Sequence, residues 1–176
     1  QLLEDKDLTS KQRSLLKVVH KNVNILLRLV NQILDFRKYE NGKLELVRTN
    51  MDLRAQLQEW SHAFQTLALR KHIHFVLDVN DDRTDCLMAL DAEKMERVYF
   101  NLLSNAFKFT PENGTITVTL STLIKEENRR YVRLVVADTG SGISVQHIRH
   151  IFDRFYQIDV NHAGSGIGLA LAKAFV

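Results

Sequence analysis

Apolar residues in the first part of the chain recur at the spacing of a long helix. Thr9 and Gln12 form a potential capping box at its start, and Asn41-Gly42 is a typical helix end. The apolar residues of this helix fall on two neighbouring strips. Two strips need more than one partner surface, so we predict a helix of a bundle assembled across chains rather than a plain core helix. The first strip is Leu15, Val19, Asn22, Leu26, Leu29, Ile33 and Phe36, and the second is Leu16, Val23, Leu27, Val30 and Leu34.

The rest of the chain alternates between helix and strand periodicities. Asp52 is a good cap for a helix that reaches about Lys71, and Asp91 caps another that ends near Lys108 or Phe109, before Pro111. Both patterns together predict an α+β fold, with a helical segment over residues 1–42 and a mixed domain over 43–176. The predicted strands are 43–47, 73–79, 115–122 and 131–137, the last two as an antiparallel hairpin; 86–90 is a short apolar stretch, and a short helix lies near 145–152.

Composition narrows the class of protein. The chain has 176 residues, 45% of them hydrophobic, with 24 basic against 21 acidic side chains scattered among each other, so no nucleic-acid-binding stripe is indicated. The lone Cys86 excludes an internal disulfide. No apolar run approaches the roughly 18 residues of a membrane span. Because the chain starts at Gln1 and stops inside a helical pattern at Val176, we expect a piece of a longer protein.

Glycine is concentrated near the end of the chain, where five of the seven glycines fall between Gly140 and Gly168. The cluster 138–143 follows an apolar strand, and the cluster 164–169 opens a helix. Backbone N–H groups at such a helix start can hold phosphate oxygens. Neither cluster matches the Walker or the dinucleotide pattern, and each alone indicates an ordinary turn. The two together favour a nucleotide site.

Asn101, Asn105 and Lys108 form a polar stripe on the second of the two capped helices. They stand at positions i, i+4 and i+7, and asparagine is a poor residue for a helix interior. Amide oxygens can coordinate Mg²⁺ when phosphates supply the negative charge, and a lysine can meet a phosphate as a point charge. Taken alone, the stripe is more typical of a solvated helix face than of a ligand site.

In combination, four segments resemble the N, G1, F and G2 boxes of sensor histidine kinases, members of the superfamily of gyrase, Hsp90 and MutL-type ATPases. Segments 31–38 and 40–44 similarly resemble the end of the second dimerisation helix and its link to the catalytic domain. Their sequence is most similar to that of hybrid sensor kinases of gut Bacteroidetes. This resemblance implies a two-layer α/β sandwich ATPase domain, preceded by a helix of a dimerisation four-helix bundle. The four segments are Asn101-x-x-x-Asn105-Ala-x-Lys108-Phe109, Asp138-x-Gly140-x-Gly142, Phe152-x-x-Phe155 and Gly164-x-Gly166-x-Gly168-Leu169.

The resemblance implies ATP and Mg²⁺ as cofactors and gives roles to individual residues. Asp138 would accept a hydrogen bond from the adenine amino group, with Phe109 and Ile143 packed beside the purine. Asn105 with Asn101 would hold Mg²⁺ against the phosphates, and Lys108 would lie near them. Residues 155–164 would form the ATP lid. The other implied nucleotide contacts are Gly140, Gly142, Phe155, Gly164, Ser165, Gly166, Gly168 and Leu169.

The implied activity is transfer of the ATP γ-phosphoryl group to a histidine, for relay to an aspartate on a response-regulator receiver domain. The hydrolysing relatives have a glutamate where Asn101 stands, and an amide cannot act as a general base, so transfer rather than hydrolysis is expected. The resemblance also implies a homodimer, no bound nucleic acid, and a cytoplasmic portion of a membrane-anchored sensor.

None of the seven histidines has the setting of the family's phosphoacceptor, so we expect the acceptor helix to precede this chain. His20 is assigned to the bundle surface. His72 and His74 read as a half-exposed strand face rather than a metal site, because no further ligand accompanies them. His162 is a candidate nucleotide contact.

Two other functions remain open at this point. One is an ATPase of the same superfamily, which would turn over ATP without any histidine acceptor. The other is a non-catalytic dimerisation or signalling module that no longer binds ATP. Asn105, Asp138 and both glycine clusters argue against the second alternative.

Overall fold

The computed structural model describes residues 9–79, 86–124, 130–159 and 165–176. The predicted long helix is confirmed as α1, Ser10–Glu40. Its start is held by the predicted capping box, in which the Gln12 backbone N–H donates to Thr9 Oγ1 and the Thr9 N–H donates to Gln12 Oε1. Asn41 caps its end, and Gly42 follows in a left-handed conformation. Within the described part of the chain, no helix is both long and apolar enough to cross a membrane.

The remaining elements follow the alternation predicted from the sequence. Asp52 caps α2 by accepting the N–H groups of Arg54 and Ala55, and Asp91 caps α3 by accepting the N–H of Lys94. In chain order these elements are β1 Thr49–Asp52, α2 Leu53–Arg70, β2 His74–Asp78, β3 Leu87–Leu90, α3 Ala92–Phe109, β4 Thr115–Ile124, β5 Arg130–Asp138, α4 Val145–Ile148 and α5 Gly168–Phe175.

The described strands form two small sheets. β1 pairs antiparallel with β3, while β4 lies between β2 and β5. The β4–β5 pair is the predicted antiparallel hairpin, with Ile116 opposite Asp138 at its open end. β2 runs parallel to β4, and this pairing joins segments that are far apart in the sequence. The hairpin carries Asp138 to the open end of the three-stranded sheet.

One apolar core lies between helices α2 and α3 and the three-stranded sheet, as expected for a two-layer α/β sandwich. Phe64 of α2 stacks on Phe107 of α3 at 5.5 Å between ring centroids. Ser61 and Tyr99 share a buried hydrogen bond of 2.5 Å, and burial raises the pKa of the Tyr99 phenol although this bond opposes the rise. Because Leu103 and the neighbouring apolar side chains of α3 are buried in this core, the opposite side of α3 is left for polar residues.

Three local predictions are wrong. Residues 43–47 form no strand: β3 ends one residue before Asp91, whose carboxylate accepts the Val47 N–H at 2.9 Å, so no strand among the described residues lies beside this segment. The helix expected over 145–152 covers only Val145–Ile148. His72 lies in the turn before β2 with a φ of 51°, so it does not share a strand face with His74.

Candidate functional site

Helix α3 connects the two glycine clusters. Its last residue, Phe109, lies against the first cluster, since a Cβ on Gly140 would come within 2.7 Å of the Phe109 carbonyl oxygen. Near its middle, the Asn101 side-chain amide donates to the Gly168 carbonyl at 3.2 Å. Eight residues of α-helix separate these contacts, a span of about 12 Å. The predicted stripe of Asn101, Asn105 and Lys108 therefore lies along a surface that ends at a glycine cluster on each side.

The first glycine cluster turns sharply at the end of β5. Asp138 is exposed, and its Oδ1 accepts the Gly140 backbone N–H at 2.8 Å. Thr139 fixes the turn to β4 by two hydrogen bonds with Thr115, one from its backbone N–H and one to its hydroxyl. Gly142 has a φ of 69°, which a side chain would strain. Since Oδ1 is engaged within the turn, Oδ2 is the carboxylate oxygen available to a ligand.

The second glycine cluster is described from Ser165 onward, and Gly164 and His162 lie outside the described residues. Gly166 has a φ of 66°, and its carbonyl accepts the Phe155 N–H at 2.9 Å. A Cβ on Gly166 would lie 2.7 Å from the Phe155 backbone, so only glycine fits this close approach. Gly168 then begins α5 beside Asn101. The backbone conformation of this cluster is thus set by contacts with Phe155 and with α3.

Apolar side chains lie in or next to both glycine clusters. Phe109 and Ile143 are 44% and 43% exposed, and Phe155 is 67% exposed with a φ of 59°. Leu169 is half-buried in the first turn of α5. Lys108 Nζ lies 4.9 Å from the centroid of the Phe109 ring. Because Phe109 lies against Gly140 and Phe155 lies against Gly166, exposed apolar surface adjoins both glycine clusters.

Two histidines, His147 and His150, make contacts within the segment before Phe155. His147 Nδ1 lies 2.5 Å from the Tyr156 hydroxyl, and the His150 ring packs on Tyr156 at 5.4 Å between centroids. His150 also pairs with Asp153 at 2.7 Å. These contacts connect the residues of the loop between α4 and Phe155 to one another.

The contacts between α1 and the glycine-rich region were not predicted from the sequence. Gln32 accepts a hydrogen bond from Ser165 at 3.2 Å, and Glu40 pairs with Arg154 at 2.6 Å. Asp35 pairs with Arg97 of α3. The available signal was weak: these α1 residues are polar side chains on or beside the first apolar strip, and polar residues at the edge of such a strip ordinarily face solvent.

Comparison with known proteins extends these observations. The profile of the histidine kinase-, DNA gyrase B- and HSP90-like ATPase family matches residues 90–176, the part that contains α3, both glycine clusters and α5. The chain is 36% identical over 179 residues to hybrid signal transduction histidine kinase D of Dictyostelium discoideum, covering 99% of this chain and 11% of that protein. It therefore spans about a tenth of that relative's length.

Solved structures show the same fold. The crystal structure of full-length ShkA in complex with AMPPNP matches with a TM-score of 0.80 and 31% identity, over 99% of this chain and 35% of that one. Histidine kinase ThkA, in its complex with the response regulator protein TrrA, matches with a TM-score of 0.61 and 23% identity, over 89% of this chain and 43% of that one. Residues 90–176 thus form an ATPase domain of the histidine kinase-, DNA gyrase B- and HSP90-like family, and the chain is homologous to sensor histidine kinases.

Proposed function

We propose that this chain is the ATP-binding catalytic part of a sensor histidine kinase. In the intact protein, the γ-phosphoryl group passes to a histidine of the dimerisation domain and from there to an aspartate of a response regulator. The observation that carries the proposal is that α3 contacts both glycine clusters. Its last residue lies against Gly140, and its Asn101 side chain donates to the Gly168 carbonyl. The AMPPNP in the ShkA crystal supports the choice of ATP as the nucleotide.

The end of the site at Asp138 fits a purine. Its carboxylate is exposed, and one oxygen is already committed to Gly140, so the other accepts the adenine amino group. Phe109 and Ile143 supply the exposed apolar surface that covers the faces of the base. Gly142 keeps the turn free of side chains, with no atom within 4 Å of where its Cβ would be.

The other end fits phosphates with Mg²⁺. Asn101 uses its amide nitrogen on the Gly168 carbonyl, which leaves the amide oxygen as its metal ligand, and Asn105 supplies a second amide oxygen one turn away. Ser165, Gly166 and Gly168 present N–H and hydroxyl donors at the start of α5, beside Leu169, and Lys108 adds positive charge. MgATP, when bound, supplies the phosphoryl group that is transferred.

The chemistry of these residues favours transfer over hydrolysis. Catalysis of phosphoryl transfer rests mainly on positioning and charge neutralisation, which amides, N–H groups and a lysine can provide. Neither Asn101 nor Asn105 can take a proton from water. The chain therefore holds the nucleotide for attack by a histidine and does not activate water to hydrolyse it.

The whole protein is proposed to act as a homodimer. Residues 1–42 are then the end of the dimerisation domain, residues 43–176 are the catalytic domain, and the exposed apolar strips of α1 face a second copy in a four-helix bundle. A response-regulator receiver domain is the partner class, supported by the fold shared with ThkA in its complex with TrrA. This arrangement fits the cytoplasmic portion of a membrane-anchored sensor.

Calorimetric titration of ATP into the chain, with and without Mg²⁺, tests the proposal. We expect Mg²⁺-dependent binding that Asp138→Asn weakens by about 5- to 150-fold, because the substituted amide would turn its NH₂ group toward the adenine amino group. Asp78→Asn, which changes an exposed carboxylate at the end of β2, is the matched control and should bind as the original chain does.

Two results would contradict the proposal. Equal ATP affinity in Asp138→Asn and Asp78→Asn would remove the adenine contact from Asp138. Sustained ATP turnover in the absence of a histidine acceptor would instead indicate an ATPase and would overturn the role given to Asn101.

A further inference from the structure

The last turns of α1 contact the glycine-rich region through one helix face. Gln32, Asp35, Phe36 and Glu40 stand at positions i, i+3, i+4 and i+8, so their side chains lie on the same side of the helix. This face, which we call the latch, meets three separate parts of the catalytic domain. Its partners are Arg97 on α3, Arg154 before Phe155, and Ser165 in the second glycine cluster.

The contact at Ser165 uses the hydroxyl that the phosphates would need. Ser165 Oγ donates to Gln32 Oε1 at 3.2 Å and accepts the Ile167 N–H at 3.3 Å. A serine hydroxyl has one hydrogen, and phosphate oxygens are acceptors. Ser165 can therefore donate to Gln32 or to a phosphate, but not to both at once.

The ionic contacts act in the same direction. Arg154 pairs with Glu40 at 2.6 Å and also lies over the Phe36 ring, 4.7 Å from its centroid. Arg97, one turn before Asn101 on α3, pairs with Asp35 of α1 and with Glu93 of its own helix. Two carboxylates of α1 thus add negative charge beside two guanidinium groups at the phosphate end, and the positive potential available to a polyphosphate is lower while α1 is docked.

We propose that the latch of α1 and the phosphates of the nucleotide compete for this end of the site. The inference rests on the proposed function and adds a regulatory coupling to it. With α1 docked, the catalytic domain binds ATP weakly, and ATP binding releases the end of α1. Because binding linkage is reciprocal, any signal that moves α1 off the domain raises ATP affinity by the same factor.

The test compares ATP with adenosine, which lacks phosphates, using the whole chain. We expect Gln32→Ala to tighten ATP binding by about two- to tenfold, the range for one neutral hydrogen bond. Glu40→Gln should tighten it by up to about fivefold, the range for an exposed ion pair. Adenosine affinity should stay the same in both variants. Asn31→Ala, an exposed neighbour of Gln32, is the matched control and should bind both ligands unchanged.

Hydrogen exchange gives a readout that does not depend on activity. ATP, but not adenosine, should increase amide exchange over residues 32–40. Unchanged or weaker ATP binding in Gln32→Ala, with Asp138-dependent binding intact in the original chain, would overturn the latch and leave the proposed function standing. Absence of ATP binding in the original chain and in every latch variant would overturn both.

Discussion

At the scale of single residues, Gly166 and Gly142 have nearly the same backbone conformation in different surroundings. Their φ values are 66° and 69°, so alanine at either position costs about 1–2 kcal/mol for the left-handed conformation. A Cβ would strike the Phe155 backbone at Gly166 and would meet open space at Gly142. We expect Gly166→Ala to lower the free energy of unfolding more than Gly142→Ala, as measured by urea denaturation. Equal losses would show that the approach of Phe155 is not tight.

Asp138 should also decide which base binds. Guanine has a carbonyl oxygen where adenine has an amino group, so a carboxylate repels it and an amide NH₂ can donate to it. We expect Asp138→Asn to weaken ATP binding while strengthening GTP binding, with a change in base preference of about tenfold or more. Calorimetry with both nucleotides measures this change. Parallel weakening for ATP and GTP would mean that the substitution disturbs the turn rather than base recognition.

At the scale of elements, the start of α3 depends on Asp91. Its carboxylate accepts the Val47 N–H at 2.9 Å and the Lys94 N–H at 3.1 Å, and it pairs with Lys94 Nζ at 2.6 Å. Burial of Asp91 favours its neutral form, but these hydrogen bonds and the lysine charge outweigh that effect and lower its pKa below the ordinary 3.8. The ionised Asp91 carboxylate therefore stabilises the folded state. Its contribution to the free energy of unfolding is present near neutral pH and is lost on acidification.

We expect Asp91→Asn to lower the free energy of unfolding by about 1 kcal/mol at pH 7, because the amide oxygen still accepts the Lys94 N–H but the amide NH₂ loses the ion pair and the Val47 hydrogen bond. The difference from the original chain should narrow below about pH 4, as Asp91 itself becomes protonated. Denaturation across this pH range measures both effects. A difference that stays constant with pH would mean that the ionised carboxylate does not stabilise α3.

The elements also show what sequence patterns can and cannot predict. Helices α2 and α3 were predictable because Asp52 and Asp91 cap them and apolar residues repeat along one face. The strand predicted over residues 43–47 was wrong because alternating apolar and polar residues form a strand only if a partner strand lies beside them. The parallel β2–β4 pairing joins distant segments and leaves no local signal.

At the scale of the whole molecule, the residues of the candidate site could be named from the sequence, because four short motifs stand in the same order as the boxes of the family. Their mutual placement was not predictable, since the Asn101 contact with Gly168 joins residues 67 positions apart. The latch was missed for the same reason: Gln32 and Ser165 are 133 positions apart, and a polar residue on a helix face looks the same whether it meets solvent or another domain.

The long helix leads to the last expectation, which concerns assembly. α1 exposes a run of apolar side chains, with Val19 at 55% and Leu26 at 61%, that a second copy would bury in the proposed bundle. We expect the chain to dimerise with rising concentration in sedimentation experiments. The double variant with Val19→Glu and Leu26→Glu should be monomeric. In a symmetric dimer each copy would bring its two glutamates into the same apolar interface.

Leu69→Glu is the matched control for this assembly, since it adds a charge at a 79% exposed leucine on α2 and should leave the dimer intact. The monomeric double variant should still bind ATP, because Val19 and Leu26 precede the latch at residues 32–40 and lie outside the proposed nucleotide site. A chain that stays monomeric at every concentration, or a double variant that still dimerises, would contradict a bundle built on α1. Loss of ATP binding in a folded double variant would instead mean that the nucleotide site depends on the dimer.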